Sequence, residues 1–133
     1  MRLPRPAATA ARVEKNTSPR AQRAIDERTR LDVARHRAAG RAALDHAADR
    51  LDREWDVERV LQLNYALVVL LGLGLGRAVS RRWYLLPAVA SGFLALHALQ
   101  GWCPPLPVLR RLGVRTAREI SRERYAVDVL RGR

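Results

Sequence analysis

The chain has 133 residues, room for one domain, and carries 25 basic against 13 acidic side chains for a net charge of +12. Its one cysteine excludes an intramolecular disulfide and the multi-cysteine zinc frameworks. Aromatic residues are few and no nucleic-acid motif is present, so the positive charge points to an anionic membrane surface rather than to nucleic acid.

Residues 1–17 are expected to be a disordered tail, since Pro4 and Pro6 interrupt any early helix. No secretory signal peptide is expected, because the first long apolar run starts near residue 60. Residues 18–58 form a charged, amphipathic helical region. Ser18-Pro19 supplies an N-cap and a proline at the first helical position. The helix that follows is solvated, with charges alternating in sign, and Gly40 breaks it. A second helix runs from Arg41 to about Trp55. Leu44, Ala48, Leu51 and Trp55 share one side of it, opposite Asp45, Asp49 and Asp52. That side could meet a lipid surface, a partner helix, or the protein's own C-terminal helix. Leu44, Leu51 and Trp55 are the residues expected to make a partner contact.

The centre of the chain, residues 59–109, reads as a membrane hairpin of two transmembrane helices. Residues 60–76 and 83–109 carry no Asp, Glu, Lys or Arg. The first run is about 26 Å long as a helix, the short end of a span, and Asp56 is placed to cap it. The second, Trp83–Cys103, is about 31 Å. Trp83 and Tyr84 at one end and Trp102 at the other match an interfacial aromatic belt. The turn between them holds Arg77, Arg81 and Arg82, while the flanks of the two spans hold more arginines. The positive-inside rule therefore places both termini in the cytoplasm. Residues 110–133 form a basic C-terminal helix, with Thr116 and Glu119 in capping-box register.

Gly72 and Gly76 make a G-x-x-x-G, and Ala88 with Gly92 a second small-residue pair. Either could close the hairpin or join two copies. Asn64, His97 and Gln100 are polar residues inside the spans, and antiparallel geometry puts them at similar depth. They could serve interhelical hydrogen bonding or a proton or ligand site. Cys103 is the one candidate nucleophile. Nearby arginines favour its thiolate and a helix C-terminus opposes it. No catalytic triad, phosphate loop or metal pair is present, so no cofactor, metal or enzymatic activity is expected.

Gly101-Trp-Cys-Pro-Pro-Leu-Pro-Val-Leu-Arg-Arg-Leu-Gly113, behind a glycine-rich span, resembles the YgaP-like inner-membrane transmembrane domain, a bacterial family of unknown function. The shared marks are Cys103-Pro104 and Leu112-Gly113, and the resemblance covers about residues 60–113. It implies a two-helix membrane hairpin, often dimeric. Some relatives carry a sulfur-transferring rhodanese domain, for which this chain has no room. The expectation is an all-α, arginine-rich, multi-pass protein of the bacterial inner membrane, with an anchoring or assembly role. Its partners would be the lipid bilayer and a second copy or another membrane protein. A sulfur-relay or redox role through Cys103 and an accessory-subunit role in a larger complex are the alternatives.

Overall fold

The computed structural model describes residues 9–132 and is all-helical, with no strand among the described residues. A four-residue helix α1 (Arg12–Lys15) precedes α2 (Pro19–Arg37) and α3 (Arg41–Arg53). Then come α4 (Val57–Ala78), a 3-10 turn at Arg81–Tyr84, α5 (Leu85–Gln100), α6 (Leu106–Arg111) and α7 (Ala117–Arg131).

The helix boundaries follow local chemistry. Ser18 caps α2 by accepting from the Ala21 N–H, with Pro19 in the first turn. Gly40 stands as the N-cap of α3. The Asp56 carboxylate accepts from Arg59 N–H at 3.0 Å and starts α4. At α7 the capping box is complete. Thr116 Oγ1 accepts from Glu119 N–H, and the Glu119 carboxylate accepts from Thr116 N–H.

α5 stops at Gln100, three residues short of the expected end, because Gly101 turns into the left-handed region at φ 77°. A side chain at Gly101 would also strike the Arg12 carbonyl oxygen, so the same glycine admits the N-terminal segment. That segment departs from the expected tail. Residues 1–8 lie outside the described residues, but Val13 of α1 is buried beside Val57, Leu61, Cys103 and Leu106. The Asn16 amide donates to the Gln100 carbonyl and to the Arg12 carbonyl, each at 2.7 Å. A short helix that could not persist alone is fixed by burying one valine and by satisfying the last carbonyl of α5.

α4 and α5 run antiparallel. The 3-10 turn lies at one end of the pair, and every other helix gathers at the opposite end. There α3 packs on α7 through Leu44, Ala47, Ala48 and Leu51 against Ile120 and Val127. α2 also packs on α7, and the Val57 N–H donates to the Arg115 carbonyl at 2.9 Å, tying the start of α4 to this helical head. One helical stretch, within Arg41–Ala78, is long and apolar enough to cross a membrane, and 22% of its apolar window is buried. α5 has 16 residues, about 24 Å, and falls short of that length by itself.

Candidate functional site

Where the head meets α4 and α5, titratable and polar side chains converge on Cys103. The thiol is fully buried, enclosed by Val13, Leu61, Tyr65 and Leu106. α1 contributes the lid of this enclosure, α4 the wall, and the Pro104-Pro105 turn leading into α6 the floor. Beside it Glu58, in the first turn of α4, accepts from Arg12 Nη2 at 2.9 Å. The same carboxylate meets His97 Nε2, with Oε1 at 3.0 Å and Oε2 at 3.1 Å. His97 is 2% exposed. Arg12, Glu58 and His97 thus link α1, α4 and α5.

Three buried polar atoms lack a hydrogen-bond partner among the described residues: Arg12 Nε, Tyr65 Oη and His97 Nδ1. All three belong to this junction.

The head holds two further buried ion networks. Arg110 and Glu119 are buried at the interface of α2, α6 and α7, where Thr17 and Gln22 complete the guanidinium's hydrogen bonds. Burial pushes the Glu119 carboxyl up, but hydrogen bonds from Arg110, Gln22 and the Thr116 N–H outweigh it and bring the pKa down to about 2. Arg115, 2% exposed, is held between Glu54 and Glu123. Burial works against its charge, and the two carboxylates outweigh that and hold its pKa above the ordinary guanidinium value. His36 Nε2 lies 3.1 Å from Glu123 Oε1 and closes this group.

The residues singled out from the sequence separate into those brought together and those not. Gly72 and Gly76 face α5: a side chain at Gly72 would land on the Pro87 ring, and one at Gly76 on the Tyr84 ring. Ala88 and Gly92 point away from that contact, Gly92 into open space, and it is Pro87 and Ala90 that α5 buries instead. Of the intramembrane polar set, Asn64 is exposed and His97 pairs with Glu58, while Gln100 contributes its backbone carbonyl to Asn16. Trp83, Tyr84 and Trp102 keep 42%, 42% and 38% of their surface exposed.

The expected partner face needs correction. Leu44 and Leu51 are buried against α7, so the chain itself occupies that side of α3. Only Trp55 remains open, with the Arg59 guanidinium 4.9 Å from its ring centroid.

Sequence reasoning missed Glu58 as the partner of Arg12 and His97, and Glu54, Glu119 and Glu123 as partners of the buried Arg110 and Arg115. The capping-box register of Glu119 was visible, but its pairing with Arg110 nine residues back depends on the turn at Gly113, where φ is 84°. Among the described residues no three His, Cys, Asp or Glu side chains stand together as a metal site.

No protein-family model matches this chain. No curated protein and no solved structure matches it either.

Proposed function

We propose that the protein is a small integral membrane protein of anchoring or assembly type, in which α4 and α5 insert as a hairpin and the helical head stands at the cytoplasmic surface. The observation that carries this is the surface of the two central helices. Leu63, Leu67, Leu70 and Leu71 on α4, and Leu85 and Leu99 on α5, each expose between 46% and 68% of their surface. A soluble monomer rarely leaves a contiguous apolar patch of this kind in water. The inner faces of the pair are already closed by Gly72 on Pro87 and Gly76 on Tyr84, so the outward leucines are left for lipid.

The 3-10 turn supports the second span by adding four residues to α5 and presenting Trp83 and Tyr84 at the far end. Cys103-Pro104 leads into α6 and Leu112-Gly113 ends it. The head, rather than one amphipathic face, would then meet a partner or a second copy, with Trp55 on its exposed rim. A role as accessory subunit of a larger complex belongs to the same reading.

The test is extraction of membranes at alkaline pH, combined with reporters fused after residue 133 and inserted in the 77–82 turn. Retention in the membrane, with the C-terminal reporter cytoplasmic and the turn reporter on the other side, supports the hairpin. Release at alkaline pH overturns insertion, and two reporters on one side overturn the two-span topology.

A sulfur relay through Cys103 is the second reading, and the Tyr65 hydroxyl packed in the same buried cluster as the thiol is what favours it. The thiol's full burial means that α1 must lift before any persulfide donor reaches it.

A further inference from the structure

A cleft of about 780 Å³ opens between α2 and α3, which both pack on α7 and hardly on one another. Its rim carries Arg28 and Arg35 from α2 and Arg50 and Arg53 from the end of α3. Two carboxylates share the lining: Glu54, and Asp32, which lies 3.1 Å from Arg35 and 3.9 Å from Arg28. Arg50 is 4.0 Å from Glu123, and Arg53 makes no ion pair among the described residues. The floor is Arg115, held between Glu54, which also lines the cleft, and Glu123, which Arg50 approaches as well. Five arginines against two carboxylates line the cleft, so an entering anion meets an excess of positive charge. Every lining residue is charged, so the cleft offers no ring for base stacking and no apolar wall for an acyl chain. Its volume lies within the range of small-molecule sites. A guanidinium fork matches two oxygens of a phosphate.

We propose that the cleft between α2 and α3 binds a compact phosphate-bearing anion, with Arg28, Arg35, Arg50 and Arg53 as its ligands. Either a free phosphate compound or the headgroup of an anionic phospholipid supplies that chemistry. The site lies wholly in the helical head and does not depend on membrane insertion.

The experiment is titration calorimetry on the full chain in a neutral detergent. Inorganic pyrophosphate probes the free anion, and dihexanoyl phosphatidylglycerol probes the headgroup, with dihexanoyl phosphatidylcholine as the zwitterionic control. Saturable binding that weakens about tenfold or more in Arg50→Gln/Arg53→Gln, and persists in Arg81→Gln/Arg82→Gln at the far end, supports the site. The second variant removes the same charge, so it separates a local site from bulk attraction. Arg28→Gln/Arg35→Gln gives an independent pair on the opposite wall, should the first lose helicity. The probe that binds more tightly names the source. Absence of binding by both probes, or equal loss in the near and far variants, overturns the proposal.

Discussion

Arg110 holds Glu119 with both prongs of its guanidinium. Nη1 donates to Oε2 and Nη2 to Oε1, each at 2.7 Å, with the two residues 1% and 3% exposed. The remaining N–H groups reach Thr17 Oγ1, the Val114 carbonyl and Gln22 Oε1, so all five donors are used. Removing one partner strands a buried charge. Arg110→Met is expected to destabilise the head by about 3–5 kcal/mol, and Arg110→Met/Glu119→Gln by less than the single change. Denaturant unfolding followed by circular dichroism measures both. A double variant as unstable as the single one would show that the orphaned carboxylate is not the cause.

Acid should loosen the same contact. The Glu119 pKa is lowered from 4.5 to about 2 in the fold, so its contribution is fully present above about pH 4.5 and is lost as pH falls toward 2. That contribution is on the order of 3 kcal/mol. The melting temperature should decline through this window, and Glu119→Gln should start lower and decline less. An unchanged acid slope in the variant would assign the loss to other carboxylates.

Leu51, 2% exposed, sits between α3 and α7. Leu51→Ala is expected to cost about 2–5 kcal/mol of head stability. Leu51→Asp should unfold α3 and α7 rather than only dissociate copies of the chain. Hydrogen exchange across the two helices distinguishes these outcomes.

The close approach of α4 to α5 depends on two particular glycines. Gly72→Leu meets Pro87 and Gly76→Leu meets Tyr84, whereas a side chain at Gly74 has nothing within 4 Å. The first two changes should each cost about 1–3 kcal/mol and widen the pair, and Gly74→Leu should do neither. Spin-label distances between residues 70 and 89 test this. Equal widening in all three would mean that these glycines do not set the contact.

Cys103 should react slowly with a membrane-permeant thiol reagent in the folded protein. Arg12→Ala/Asn16→Ala removes the Glu58 contact and the bond to the Gln100 carbonyl, which help hold α1 over it. At about 1 kcal/mol for each lost bond, labelling should accelerate roughly tenfold or more. If the rate is unchanged, α1 is not what shields the thiol.

Much of the local structure was legible in the sequence. Ser18-Pro19, Asp56 and the Thr116–Glu119 pair act through neighbours within four residues, so they were visible as starts of helices. The absence of charge across residues 60–76 and 83–109 marked the two apolar helices in the same way, while the G-x-x-x-G offered a close contact either within the hairpin or between copies, and in the fold it meets α5. Periodicity on α3 showed an apolar side but could not say what would cover it.

The sequence by itself determined the helices, their caps and the separation of an apolar pair from a charged remainder, because these depend on composition and on spacings of a few residues. Tertiary structure alone decided that α7 covers Leu44 and Leu51, that α1 closes over Cys103, and that arginines 110 and 115 are buried with glutamates. Each of those outcomes joins groups brought together by the turns at Gly40, Gly101 and Gly113. A charge that looks solvated in a linear chain becomes a buried ligand once folding supplies the carboxylate that stabilises it.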